Sequence, residues 1–200
     1  MARPRQFDED RVIDAAMDTF WRKGYEATST RDLCESTGLG PSSLYNTFGG
    51  KRQLYLRALD RYYETAPADQ LELLAGPGTA VERMRALMTH AVDADVTTGS
   101  AAPPGCFAVN AAIETATLDP DVRHVVRRTF DRVEDALRTV VTAGQAAGEI
   151  RTDRDPTTLA RQVQSAYYGL RVLSRVHSDR DALLATADGT LESLRPGPVS

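Results

Sequence analysis

Apolar residues recur every three or four positions along most of this chain, which is the spacing of one buried face of an α-helix. The first stripe consists of Ile13, Ala16, Met17 and Phe20 and predicts a helix from about Asp8 to Lys23. Similar stripes predict helices over about 51–65, 80–95, 106–116, 120–147 and 155–176, and a last one ending near residue 194. No segment alternates with the period of two that marks a strand, so we expect an all-α fold.

The segment STRDLCESTGLGPSSLYNTFGGK, residues 29–51, predicts two short helices around a glycine turn. Ser29 and Asp32 fit a capping box at the start of the first helix. Gly38 suits the turn, and Pro41 is a favourable first residue of the second helix. This is the layout of a helix-turn-helix, which lays its second helix in the DNA major groove.

The two predicted short helices and their turn contain a set of apolar residues and a set of polar residues. Leu33, Leu39, Leu44 and Phe48 are expected to face the core. A recognition helix reads bases with its N-terminal part, where short polar side chains bond to bases or phosphates, and a helix N-terminus favours phosphate. The candidates on these grounds are Pro41, Ser42, Ser43, Asn46, Thr47 and Lys51.

The charge distribution limits how the chain can contact DNA. The net charge is −4, and residues 1–60 contain nine Lys/Arg and nine Asp/Glu, which cancel. Any DNA contact must therefore come from a small local face, to which Arg3 and Arg5 can add a basic arm. We expect such binding to depend on backbone contacts and to be sensitive to salt.

The remaining composition argues against several other classes. Cys34 and Cys106 are too few for a disulfide framework, and the three histidines lie in separate segments, so neither a metal site nor a catalytic constellation is predicted. There is no apolar run of transmembrane length and no apolar stretch behind the basic N-terminus, so a cytoplasmic location is expected.

The segments FDEDRVIDAAMDTFWRKGYEATS and PSSLYNTFGGKRQLY, within about residues 7–60, resemble the TetR family of bacterial repressors. The resemblance implies an all-helical homodimer. No cofactor is expected. Each subunit would have a three-helix DNA-binding domain over 1–50, a linker helix over about 51–66 and a larger ligand-binding and dimerisation domain over 67–200. The resemblance also implies that Tyr45 contacts a phosphate and that Thr30 and Arg31 touch the DNA backbone or a base.

A ligand pocket in the larger domain should be mostly apolar with a few polar groups. The candidates are Met84, Leu87, Met88, Cys106, Phe107, Asn110, Ile113, Glu114, Tyr168 and Arg171. The alternative is that the methionine stripe is core and that Asn110 and Glu114 belong to a structural network, with Arg171 or His90 as partners.

Two further expectations concern the last helices and Cys106. Apolar stripes, Leu159 to Leu173 and Leu184 to Leu191, are expected at a dimer interface, although an intrachain core would give the same pattern. Cys106 begins a predicted helix, where a thiol becomes more reactive, or it is simply a buried residue.

The resulting hypothesis is a repressor that binds a palindromic operator as a homodimer and is released by a small, largely apolar molecule. One alternative is a thiol-sensing repressor that uses Cys106. Others are a regulator without an effector and an enzyme with a vestigial DNA-binding domain.

Overall fold

Every regular element of residues 8–96 and 105–197, the ranges that the computed structural model describes, is a helix. The helices are α1 (Glu9–Lys23), α2 (Thr30–Thr37), α3 (Pro41–Phe48), α4 (Lys51–Thr65), α5 (Pro67–Ala75), α6 (Ala80–Val96), α7 (Phe107–Glu114), α8 (Pro120–Ala146), α9 (Pro156–Leu173) and α10 (Arg180–Glu192). The all-α prediction is confirmed. Arg3 and Arg5 lie outside the described residues.

The first helices begin and end where their capping residues predict. Asp8 caps α1 by accepting a hydrogen bond from the Asp10 N–H, and Gly24 follows the helix with φ 83°. Ser29 and Asp32 exchange both hydrogen bonds of a capping box at the start of α2. Gly38 then takes the left-handed conformation that a residue without Cβ adopts easily. These local interactions fix the start of the helix-turn-helix and the turn between its two helices.

Helix α5 is the one element that the hydrophobic pattern did not predict. The preceding helix was predicted to end near residue 65, and α4 does end at Thr65, with Ala66 between it and Pro67. Pro67 is the first residue of a nine-residue helix that ends at Ala75. A proline lacks the N–H that would continue α4, but its fixed φ suits the first position of a new helix.

The helices form two compact units, and neither is continuous in sequence. The N-terminal unit comprises Met1–Thr65 and Phe107–Arg127, and the C-terminal unit comprises Ala66–Cys106 and Arg128–Ser200. The sequence suggested contiguous domains, 1–50 and 67–200, with a linker between them. In the structure α4 packs with α1, and α7, with the first turns of α8, folds with the N-terminal helices.

An aromatic cluster explains why α7 belongs to the N-terminal unit. Phe107 is 1% exposed, and its ring lies 5.6 Å from that of Tyr62, 5.8 Å from that of Tyr55 and 6.0 Å from that of Trp21. The contacts with the two tyrosines are edge-to-face, a favoured arrangement of aromatic rings. Burial of these rings needs residues from α1, α4 and α7 together.

The C-terminal unit has its own core, in which α6 packs against α5, α9 and α10. Met84, Leu87 and Met88 of α6 are completely buried in it. Within residues 8–96 and 105–197 no helix is long and apolar enough to span a membrane.

The apolar stripes of the last two helices also belong to this core. Leu159, Val163, Tyr167 and Leu170 of α9 are at most 2% exposed within a single chain. Leu184, Ala187 and Leu191 of α10 are buried in the same cluster. The expectation that these stripes meet a second subunit is therefore wrong, and the intrachain alternative is correct. Only Leu173, which ends the α9 stripe, is exposed.

Candidate DNA-binding interface

The turn between α2 and α3 and the break before α4 surround one open groove of about 500 Å³. Its lining residues are Thr30, Pro41, Ser42, Leu44, Tyr45, Asn46, Gly50 and Lys51. The structure thus brings six of the nine residues predicted to contact DNA to one surface of the N-terminal unit. The other three are Arg31, Ser43 and Thr47, which lie on α2 and α3 outside the groove lining.

The N-terminal end of α3 is open for interaction. Gly40 occupies the capping position and has no side chain with which to satisfy the first N–H groups of the helix. Ser42 and Ser43 are exposed in the first turn, followed by exposed Tyr45 and Asn46. Free N–H groups at a helix start favour an anion such as phosphate.

Tyr45 and Arg31 both project far into solvent. The Tyr45 residue is 67% exposed, and the Arg31 side chain is 88% exposed. Arg31 forms an ion pair with Glu35 one turn later, 2.8 Å from Nε to Oε1. An exposed pair of this kind contributes only about 0.3–0.5 kcal/mol, so Arg31 can exchange it for another acceptor.

Lys51 lies at the start of α4, after Gly49 and Gly50, whose φ values of 78° and 111° favour glycine. Its Nζ is 4.3 Å from the centre of the Tyr25 ring and 3.5 Å from the Glu26 carbonyl oxygen, to which it donates. Both partners lie in the connection between α1 and α2. The sequence pattern gave no sign of this cation–π contact, because residues 25 and 51 are distant along the chain.

Glu114, at the end of α7, binds the same connection. Its Oε2 accepts a hydrogen bond from the Tyr25 N–H at 2.9 Å, and its Oε1 accepts one from the Glu26 N–H at 2.8 Å. Glu114 was expected to line a ligand pocket or to pair with Arg171 or His90. The structure agrees with the alternative of a structural network, but the partners differ: both carboxylate oxygens accept hydrogen bonds from backbone N–H groups of the N-terminal unit rather than from Arg171 or His90.

Arg52 connects the start of α4 to the turn between α7 and α8. Its guanidinium donates to both oxygens of Asp119, at 2.7 and 2.9 Å, and to Asp121 at 2.7 Å. These hydrogen bonds from Arg52 hold the pKa of Asp119 below its ordinary value. The sequence pattern gave no sign that these three side chains meet, because residues 52 and 119 are distant along the chain.

Comparisons with known proteins agree with this geometry. Residues 12–58 match the family model described as bacterial regulatory proteins, tetR family, and residues 80–189 match the model described as tetracyclin repressor-like, C-terminal domain. The second match alone spans more than half of the chain. The chain belongs to the TetR family.

Two curated relatives cover almost the whole length of this TetR-family chain. The uncharacterized HTH-type transcriptional regulator YezE of Bacillus subtilis is 32% identical over 197 residues, 97% of this chain and 100% of YezE. The HTH-type transcriptional repressor ComR of Escherichia coli is 32% identical over 189 residues, 94% of this chain and 90% of ComR.

A solved TetR-family structure has the same fold. It is a cysteine mutant of the regulator CifR in complex with 26-base-pair double-stranded operator DNA. It is 29% identical, covers 96% of this chain and 100% of its own, and superimposes with a TM-score of 0.81. As a TetR-family member the chain is a dimeric, DNA-binding transcription regulator rather than an enzyme.

The residues predicted to bind a ligand are divided between the two units. Phe107, Asn110, Ile113 and Glu114 belong to the N-terminal unit, where Phe107 is core and Ile113 is 72% exposed. Met84, Leu87, Met88, Cys106, Tyr168 and Arg171 belong to the C-terminal unit. The helical spacing did not show which unit holds each residue, and it placed Ile113 on a buried face although this side chain is exposed.

Within the C-terminal unit Arg171 has a buried acidic partner. Its Nε lies 3.3 Å from Oδ2 of Asp95, whose side chain is 3% exposed, and its Nη2 donates to the Gly105 carbonyl oxygen at 2.6 Å. Ser174 donates to Asp95 at 2.7 Å. Burial raises the pKa of Asp95, although Arg171 and Ser174 oppose the shift.

Tyr168 and Cys106 lie near this buried pair in the C-terminal unit. The Tyr168 ring lies 4.6 Å from that of Phe130, and burial raises the pKa of its hydroxyl. Cys106 is 6% exposed and immediately precedes α7. In the ranges 8–96 and 105–197 no three His, Cys, Asp or Glu side chains are grouped as metal ligands.

The Arg52–Asp119 pair predicts a pH-dependent stability. A carboxyl whose pKa is lowered by folding stabilises the fold above its unfolded pKa, about 3.9. This stabilisation is lost as the pH falls through the lower folded-state value. We expect Asp119→Asn to lower the free energy of unfolding in urea at pH 7, and the difference from the natural chain to shrink as the pH falls below about 4. A difference that stays constant down to low pH would contradict this linkage.

Proposed function

We propose that this regulator binds a palindromic operator as a homodimer and represses transcription until a small, largely apolar molecule lowers its affinity for DNA. The observation that carries the proposal is the groove at the start of α3, where Thr30, Ser42, Tyr45, Asn46 and Lys51 share one exposed surface. The similarity to CifR, solved with operator DNA, supports it. This function requires the cytoplasm, where bacterial DNA lies.

In this proposal α3 enters the major groove with its N-terminal turn against the base edges. Ser42, Ser43, Asn46 and Thr47 offer short donors and acceptors, and Arg31 reaches a base from α2. Tyr45, Lys51 and Thr30 contact phosphates. Because Gly40, Ser42 and Ser43 reach little of each base, the phosphate contacts supply much of the affinity.

The double variant Tyr45→Phe, Lys51→Met tests this contact face. We expect operator affinity to fall by about 100-fold or more, since phosphate contacts are lost in both subunits. The slope of log K against log salt should decrease in magnitude by about 1.8, because each of the two subunits loses one charged contact with a phosphate. The measurement is fluorescence anisotropy, across a salt series, with a duplex selected from random DNA by the purified protein.

The matched control is Arg138→Met, which removes an exposed charge paired with Asp135 on α8. It should leave both the affinity and the salt slope unchanged. Unchanged operator affinity in the double variant, with the protein folded and dimeric, would refute the proposed face.

The dimer interface needs a surface other than the buried stripes. Adjacent helices α9 and α10 each carry, at helical spacing, a line of small or apolar residues that are exposed or, at Gly169, half-buried. On α9 these are Ser165, Gly169 and Val172, and on α10 they are Ala182, Ala185 and Gly189. A Cβ added at Gly169 or Gly189 would meet no atom within 4 Å, so both positions are open within one chain. We propose that this face pairs with its copy in a four-helix interface.

Gly169→Arg tests the dimer face. The monomer has room for the side chain, but a closely packed interface does not, so the variant should be a folded monomer by light scattering after size-exclusion chromatography. Operator affinity should fall as well, because one reading unit buries little DNA surface. Ala143→Arg, at an exposed position of α8, should remain dimeric. A dimeric Gly169→Arg protein would exclude this face.

The effector is proposed to be bound by the C-terminal unit, with Tyr168 and Arg171 as polar lining groups.

Cys106 is 6% exposed, as expected for a packed residue, so release by a bound molecule is favoured over thiol chemistry. A thermal-shift screen of small apolar compounds should yield one that also releases the selected duplex. Cys106→Ser should keep that release; a response to oxidants or electrophiles that Cys106→Ser abolishes would instead establish the thiol sensor.

A further inference from the structure

The connection between α1 and α2 is held by a charged group from a distant part of the chain. Glu114 accepts hydrogen bonds from two consecutive backbone N–H groups, those of Tyr25 and Glu26. Its carboxylate lies so near that a Cβ on Gly24 would be 3.1 Å from both oxygens. Glycine, which also suits the φ of 83° there, leaves room for this approach.

The same two residues hold Lys51. The Tyr25 ring lies under its ammonium group, and the Glu26 carbonyl oxygen accepts its hydrogen bond. The carboxylate of Glu114 therefore holds the backbone N–H groups of Tyr25 and Glu26. The Tyr25 ring and the Glu26 carbonyl oxygen in turn hold Lys51. Glu114 itself is not one of the residues that line the groove.

The residue after Lys51 is held by the same part of the chain. Arg52 bonds to Asp119 and Asp121, and Asp119 also accepts hydrogen bonds from the N–H groups of Asp121 and Val122. The first turn of α4 is thus fixed on one side through the α1–α2 connection and on the other through the α7–α8 turn. Glu114 and Asp119 stand only five positions apart, so one short segment supplies both contacts.

We propose that Glu114 is a positioning residue for operator binding, which sets the place of Lys51 through Tyr25 and Glu26, with the Arg52–Asp119 pair completing the support. This inference rests on the proposed function, because it assumes that Lys51 contacts a phosphate. Segment 114–121 is then part of the DNA-reading apparatus, although it lies far from the helix-turn-helix in sequence and makes no contact with DNA itself.

The test is a double-mutant cycle between Glu114→Gln and Lys51→Met. The amide keeps the size of Glu114 but replaces one acceptor with a donor facing a backbone N–H. We expect Glu114→Gln to weaken binding of the selected duplex by about tenfold and to reduce the salt slope, as loss of a phosphate contact does. In the Lys51→Met background the same change should have almost no further effect.

The matched control is Glu149→Gln, because the Oε2 of Glu149 accepts a hydrogen bond from the Ala80 N–H in the C-terminal unit. Like Glu114→Gln, it replaces a carboxylate that is bound to the backbone with an amide, and it should change neither the operator affinity nor the salt slope. Asp119→Asn is the second variant. It should also weaken operator binding, and this effect should nearly vanish in the Lys51→Met background. If Glu114→Gln does not fold, Asp119→Asn provides the test of the positioning role.

The outcomes separate the inference from the function on which it rests. An equal loss in the natural and Lys51→Met backgrounds, or the same loss in Glu149→Gln, would overturn the positioning role. If Lys51→Met weakens binding but neither Glu114→Gln nor Asp119→Asn does, the positioning role alone fails. If Lys51→Met itself has no effect, the proposed contact face fails.

Discussion

Burial of the Phe107 ring among Trp21, Tyr55 and Tyr62 is the contact on which the arrangement of the N-terminal unit depends. Full burial of a phenylalanine side chain contributes about 1.5–3 kcal/mol, and each well-placed aromatic pair adds roughly 0.5–1.5 kcal/mol. With Phe107 in place, α7 ends beside the α1–α2 connection, and Glu114 can reach the Tyr25 and Glu26 N–H groups.

The acidic and basic residues of the N-terminal unit are largely used to hold it together. Arg61 donates to Asp14 at 2.8 and 3.2 Å, Arg52 donates to Asp119, and Lys23 pairs with the Asp32 of the capping box. Hydrogen bonds from Lys23 and Ser29 keep the pKa of Asp32 well below its ordinary value. These ion pairs account for much of the zero net charge over residues 1–60. The groove can therefore be polar although the charges of this segment sum to zero.

The predictions that succeeded depended on neighbouring residues. Gly24, the Ser29–Asp32 box and Pro41 each act within one helical turn, so their positions could be deduced from the sequence. Phe107 and Glu114 could be recognised as members of one helix, but their partners lie more than 40 positions away. Periodicity shows that a face is buried without saying what covers it. The stripes of α9 and α10 were assigned to a dimer for the same reason, whereas one chain buries them itself.

The division of the N-terminal unit between two stretches of chain affects how it can be transferred. Regulators are often recombined by joining the DNA-reading part of one protein to the sensing part of another at a single junction. A junction near residue 65 would separate Tyr55 and Tyr62 from the Phe107 that covers them. It would also replace Asp119, the partner of Arg52, by the residue that the other parent protein has at this position. A chimera that keeps the natural geometry must carry residues 107–127 along with residues 1–65, and so needs three junctions instead of one.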